Sequence, residues 1–92
     1  MKTIPFALSP EQRELVVKHG YPFEELAAQL KAAERQKGEV SFALNEFYFD
    51  QLLGDLARSI NHSRSNALIE RLNDLYEDLL SQAWESGYTS MS

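Results

Sequence analysis

The side chains that most often carry out chemistry are few in this sequence, and their spacing fits no common mechanism. The histidines His19 and His62 are far apart in the chain, and neither belongs to a zinc-binding pattern such as H-E-x-x-H. The neighbours His62 and Ser63 do not by themselves indicate nucleophilic catalysis, since a triad also needs a carboxylate that orients the histidine. The four glycines are scattered and form no phosphate-binding loop. We therefore predict that the protein is not an enzyme and binds no metal or cofactor.

Composition limits the chemistry further. The 92 residues include no cysteine, so disulfides and cysteine-type zinc sites are excluded. No apolar run is long enough to span a bilayer, and the first residues do not read as a signal peptide. We expect a single helical domain over residues 1–86, a mobile tail over 87–92, and a cytoplasmic location without membrane contact.

Negative charge is concentrated in two parts of the chain. The formal net charge is −5 at pH 7, and the isoelectric point is about 4.9. Residues 39–57 and 72–92 each contain four carboxylates and neither lysine nor arginine. Phosphate backbones and anionic membranes repel such a surface, whereas a basic protein is attracted to it. The charge pattern thus favours a protein partner over nucleic acid or lipid.

One stretch keeps a nucleic-acid alternative open. Residues 56–72 read LARSINHSRSNALIERL, and residues 52–72 could form a degenerate helix-turn-helix in which Arg58, Arg64 and Arg71 approach DNA. However, the apolar spacing continues far beyond this stretch, which is typical of a long helical hairpin rather than of a short recognition helix. The outer side of that second helix also carries carboxylates that phosphates would repel. A DNA-binding regulator is therefore an alternative and not the first hypothesis.

Helix signals divide the chain into four segments. Ser9, Pro10 and Gln12 form a capping-box start and Gly20 is a typical stop, which together predict a first helix over 10–19. The expected fold class is mainly α, a compact bundle of about four helices. Apolar residues at helical spacing predict the other three helices over about 22–36, 46–60 and 65–84.

Two short segments of the sequence echo each other. The letters FALS at 6–9 and FALN at 42–45 each place an apolar triplet before a capping residue and a helix. The apolar residues Val40, Phe42 and Leu44 alternate with smaller or polar ones, which is a strand-like period. Residues 4–8 and 40–44 could therefore pair as two short β-strands. Chance similarity and two hydrophobic staples at helix starts are the alternatives.

The third helix carries a second feature on the side opposite its buried stripe. At about 100° per residue, Phe47, Gly54 and Arg58 fall on this far side, with Asp50 and Asp55 at its edge. A glycine within a helix costs about 1 kcal/mol relative to alanine, which is easier to understand if another backbone approaches closely. The far side could therefore contact a partner. Alternatively, Phe47 packs against the first or second helix of the same chain.

These features lead to one hypothesis and two alternatives. The hypothesis is a small acidic, non-catalytic protein-interaction module, such as a regulator, an inhibitor, or an immunity- or antitoxin-like protein, that docks a basic partner through an acidic helical face. The alternatives are the DNA-binding regulator and a homodimer with a structural role. The residues predicted to bind the partner are Phe47, Asp50, Gly54, Asp55, Arg58, Asp74, Glu77 and Asp78.

Overall fold

Four helices and two strands make up the chain in the computed structural model, which describes residues 2–88. The prediction of a mainly helical chain with four helices and one pair of strands is confirmed. The helices and the sheet share one core, and the Cα atoms have a radius of gyration of 12.5 Å. In chain order the elements are β1 (Thr3–Leu8), α1 (Pro10–His19), α2 (Glu24–Ala32), β2 (Val40–Asn45), α3 (Glu46–His62) and α4 (Asn66–Glu85).

The two strands form an antiparallel sheet with one buried face. Phe6 lies opposite Phe42 in the register, and Ile4 lies opposite Leu44. Successive side chains of a strand point to opposite faces, and these four are buried. The pairing expected from the FALS and FALN segments is confirmed and includes one further residue in each strand. The other face of the sheet is exposed at Thr3, Pro5, Ser41 and Ala43.

The start of α1 has the structure that its sequence predicts. The Ser9 hydroxyl accepts a hydrogen bond from the backbone N–H of Gln12 at 3.2 Å, and Gln12 Oε1 accepts one from the N–H of Ser9 at 2.8 Å. This reciprocal pair satisfies two N–H groups that the first turn would otherwise leave without a partner. The bounds of α1 are the predicted ones, Pro10–His19.

The second helix is shorter than the predicted span of 22–36. Phe23 has an extended backbone, with φ −75° and ψ 171°, so α2 begins only after it. Beyond the end of α2, the carbonyl groups of Gln36 and Gly38 accept hydrogen bonds from the side chain of Arg13. The chain therefore leaves the helical path and crosses to α1 before it enters β2.

A helical hairpin of α3 and α4 supplies most of the remaining core. Residues 63–65 join the two helices, which end within two residues of their predicted bounds. Phe49 connects the hairpin to the sheet, because its ring centroid lies 5.7 Å from that of Phe6. The same ring lies 5.2 Å from that of Tyr88, which follows α4. The fully buried leucines of the hairpin are Leu52, Leu56, Leu72, Leu75 and Leu79.

The segment after α4 returns to the core. Tyr88 is only 3% exposed, and its hydroxyl donates a hydrogen bond to the carboxylate of Asp50. The tail that the sequence predicts to be mobile spans 87–92, of which residues 89–92 lie outside the described residues. Within residues 2–88, no helix is both long and apolar enough to cross a membrane.

Candidate partner-binding surface

Phe47 lies on the surface at the first turn of α3, where its side chain is 63% exposed. Its ring meets the ring of Tyr48 edge-on, with 5.4 Å between the centroids. The ring of Tyr48 in turn stacks on Phe23 at 4.4 Å. These three residues, which we call the aromatic row, connect the start of α3 to the start of α2. The stack holds Tyr48 in place, so the exposed ring of Phe47 rests on a fixed support.

Carboxylates and no cations adjoin the aromatic row along the chain. Glu24 follows Phe23 directly, and Glu46 precedes Phe47. Asp50 is exposed one turn further along α3, where it accepts the hydrogen bond from Tyr88. No lysine or arginine occurs between Lys37 and Arg58. Lys2 lies beside this surface in space, because its carbonyl oxygen accepts from the N–H of Glu46 at 3.1 Å. The surface around Phe47 thus combines an apolar centre with a mainly negative surround.

Gly54 and Arg58 share the uncovered side of α3. Both are exposed, and a Cβ atom added to Gly54 would meet no other heavy atom within 4 Å. No part of the described chain therefore explains why this position is glycine. The guanidinium of Arg58 lies within 4 Å of no carboxylate oxygen in residues 2–88. Asp55 lies nearer the core and is half-buried.

The three predicted residues on α4 have different surroundings. Asp78 accepts hydrogen bonds from the side-chain amides of Gln12 and Gln82, both at 3.0 Å. Asp74 lines a small hollow beside α1, and Glu77 is exposed. Asp74 and Asp78 therefore border α1, whereas Phe47, Gly54 and Arg58 lie on the outer side of α3. The structure gathers the α3 residues on one side of that helix but does not place Asp78 on an open acidic face.

The arginines near the hairpin turn also differ in their surroundings. Arg71 pairs with Glu11 of α1, with 3.2 Å between its Nε and the carboxylate oxygen. Arg58 and Arg64 are exposed. The helix that would enter a DNA groove is α4, which continues for 20 residues to Glu85. DNA binding stays a prediction that no contact in residues 2–88 addresses.

Sequence reasoning did not identify two parts of this region. The contact of Phe23 with Tyr48 was missed, because the two residues fall in separate predicted helices, 22–36 and 46–60, and apolar spacing does not show which helices touch. The pairing of Asp50 with Tyr88 was missed, because Tyr88 falls in a segment without apolar periodicity. Aromatic residues at the starts of two neighbouring helices were the only signal for the aromatic row.

Comparisons with known proteins assign no family to this chain. No protein-family model matches the sequence, and no match was found among curated proteins or solved structures. In the described residues, no group of three or more histidine, aspartate or glutamate side chains could hold a metal ion. The geometry and charge of the surface are therefore the basis for assigning a function.

Proposed function

We propose that the protein is a non-catalytic protein-interaction module that docks a basic partner on the aromatic row and its surrounding carboxylates. The observation that carries this proposal is the exposure of Phe47, which is 63% exposed although it rests on the stacked pair Tyr48 and Phe23. Binding hot spots are enriched in aromatic side chains that a partner can desolvate completely. Complete burial of such a ring is worth about 1.5–3 kcal/mol.

Charge determines the kind of partner that fits this surface. Glu24, Glu46 and Asp50 would attract lysine or arginine side chains around an apolar contact at Phe47. The best fit is a protein segment with one or two apolar side chains flanked by basic residues. A second copy of this chain fits less well, because each copy would bring the same carboxylates and a net charge of −5 to the interface.

Gly54 fits the same proposal. A glycine with open space above it lets a partner backbone approach the helix more closely than any side chain would allow. Its position on the same side of α3 as Phe47 extends the contact by about two helical turns. Arg58 would lie at the far end of this contact, beyond the carboxylates around Phe47.

Affinity capture with matched variants tests the proposal. The unaltered protein and Phe47→Ser are immobilised, and proteins from the native cell are quantified by mass spectrometry. We expect at least one basic protein to be captured by the unaltered chain and to be depleted at least tenfold with Phe47→Ser. Ala67→Ser is the control, because Ala67 is exposed at the opposite end of the hairpin. Equal capture by all three chains would contradict the proposal.

A second pair of variants separates the α3 surface from the carboxylates of α4. Glu46→Gln with Asp50→Asn removes two charges beside Phe47 and keeps a side-chain oxygen at position 50 that can accept from Tyr88. Asp74→Asn with Glu77→Gln removes two charges from α4. For a purified partner, we expect the first pair to slow association at low salt and the second to have little effect. The opposite ranking would place the contact on α4.

The homodimer alternative has its own measurement. Sedimentation of the unaltered protein at low and high salt reports its oligomeric state. A monomer under both conditions agrees with docking of a different protein. A dimer that Phe47→Ser dissociates would replace the proposed partner with a second copy of this chain.

A further inference from the structure

A cleft of about 550 Å³ separates α1 from α2, and no residue of the aromatic row lines it. One wall is a stripe of α1 at the spacing i, i+3, i+4 and i+7, formed by Pro10, Arg13, Glu14 and Val17. These positions share one face of a helix. Val17 is 55% exposed, although it is apolar and lies within a helix. The cleft thus leaves the apolar side chain of Val17 uncovered on this wall.

The opposite wall has the same spacing. It consists of Ala27, Leu30 and Lys31 on α2, followed by Glu34 just beyond the helix. The small side chain of Ala27 leaves the space that a larger residue would fill. A volume of this size lies within the range of pockets for small organic ligands, which are mostly apolar with a few polar groups.

Arg13 is the polar group at one end of the cleft, and it is only 6% exposed. Its guanidinium donates to three backbone carbonyls, those of Leu8 at 3.0 Å, Gly38 at 2.9 Å and Gln36 at 2.6 Å. No carboxylate oxygen of residues 2–88 lies within 4 Å of it. The three carbonyls hold the planar group in one orientation but supply no formal negative charge.

The guanidinium keeps donors for a further acceptor. Of its five N–H groups, those on Nη1 make two of the three hydrogen bonds and Nη2 makes the third. The Nε–H has no acceptor in the described part of the chain. Every fully buried side-chain nitrogen of residues 2–88 has a hydrogen-bond partner. Since the Nε of Arg13 has none, it is not fully buried and water can reach it. A ligand carboxylate could therefore accept from Arg13 without displacing the carbonyls.

The remaining charges of the cleft do not cancel this preference for an anion. Glu14 is held by Lys18, with 2.6 Å between Nζ and the carboxylate oxygen. Lys31 and Glu34 both line the opposite wall and both are exposed, so their opposite charges largely offset each other. The buried charge is thus positive in a protein whose net charge is −5.

We propose that this cleft binds a small organic carboxylate, with the carboxylate on Arg13 and an apolar body between Val17, Ala27 and Leu30. A charge-assisted hydrogen bond to a guanidinium fixed in advance favours an anion over a neutral group of the same shape. The proposal is independent of the docking surface, since it uses neither Phe47 nor the carboxylates around it. It assigns a ligand class to the protein in addition to a partner.

Titration with 4-phenylbutyrate, followed by two-dimensional amide NMR of the full chain, tests the site. We expect saturable shifts confined to residues of α1, α2 and the 36–38 segment, with a dissociation constant of about 1 mM or tighter. The neutral analogue 4-phenylbutyramide should bind at least tenfold more weakly. Equal affinity for the two compounds would overturn the role of Arg13.

Two matched leucine variants test the location without disturbing Arg13. Ala27→Leu fills the cleft, whereas Ala28→Leu adds the same atoms to the neighbouring, exposed position of α2. We expect Ala27→Leu to weaken binding at least tenfold and Ala28→Leu to leave it unchanged, with both variants folded by their NMR spectra. Unaltered binding in Ala27→Leu, or shifts centred on Phe47, would overturn the proposal.

Discussion

The side-chain amide of Gln82 forms two hydrogen bonds with the backbone of Ala7. The N–H of Ala7 donates to Oε1 at 2.7 Å, and Nε2 donates to the carbonyl of Ala7 at 3.0 Å. On the other edge of the sheet, Gln29 has the same relationship to Ala43, with longer distances of 3.4 and 3.2 Å. Each glutamine thus occupies the place where a further strand would pair. Within residues 2–88 the sheet has two strands, and both of its edges are partly closed.

Gln82→Ala should lower stability more than Gln29→Ala. Gln82 Nε2 also bonds Asp78, and the bonds of Gln82 are part-buried, whereas those of Gln29 are exposed. We expect a loss of about 2–3 kcal/mol for Gln82→Ala and below about 1 kcal/mol for Gln29→Ala. Urea unfolding measures both values. Faster hydrogen exchange at the Ala7 amide should accompany the first change, and equal losses would contradict this ranking.

Alanine at Gly54 and at Gly20 should have opposite effects on the free energy of unfolding. At Gly54 the new Cβ meets open space, so better helix propensity should add about 0.5–1 kcal/mol. At Gly20 it would lie 2.8 Å from the carbonyl oxygen of Val16 and 3.2 Å from Leu52, at an expected cost of about 1–3 kcal/mol. Denaturant titration of the two variants gives the signs. A destabilising Gly54→Ala would contradict this prediction, because it would require a contact at Gly54 that the described residues do not make.

Tyr88 should matter for stability although it lies beyond the last helix. Its ring meets Phe49 at 5.2 Å, and the residue is buried. Removal of a buried aromatic side chain costs about 3–5 kcal/mol, and Tyr88→Ala should approach the lower end because the chain around it can relax after α4 has ended. Tyr88→Phe keeps the ring and removes the hydroxyl that donates to Asp50, so it should cost about 1 kcal/mol. Thermal unfolding of both variants separates ring packing from the hydrogen bond.

Glu14 should titrate below its ordinary value. The hydrogen bond from Lys18, and then the charge of Lys18, lower the pKa of the Glu14 carboxyl below 4.5. A lowered folded-state pKa stabilises the fold above pH 4.5, and this contribution disappears as the pH falls through the lowered value. Because both side chains are about 60% exposed, the effect on stability is small. NMR titration should show the pKa of Glu14 moving back toward 4.5 in Lys18→Met, and an unchanged pKa would contradict the pairing.

The sequence predicted those elements whose signals are local. Ser9 with Gln12 set the start of α1, because a capping box needs only residues three apart. The FALS and FALN segments paired as strands because each alternates apolar and small residues over a length that suits one buried face. The stripes of α3 and α4 followed from helical periodicity alone.

The sequence did not predict features that depend on partners far along the chain. Arg13 was unremarkable in the sequence because arginine is normally a surface residue, and its three carbonyl acceptors belong to segments before and after it. The end of α2 was placed too late, because Arg13 draws the 36–38 segment away from a helix that local propensity would continue. The tight position of Gly20, where an added Cβ would lie 2.8 Å from the carbonyl oxygen of Val16, was likewise not foreseen, whereas the approach of a partner at Gly54 stays a prediction.

The bond between Ala7 and Gln82 has a consequence for synthesis on the ribosome. The two residues are 75 positions apart, and translation at about 5–20 residues per second makes the delay between them roughly 4 to 15 seconds. During that time β1 can pair with β2, but Gln82 is not yet present to bond the outer edge of β1. The nascent chain therefore passes through a period in which the edge of β1 is accessible to chaperones and to neighbouring chains. Gln82 can cover this edge only after α4 has been synthesised.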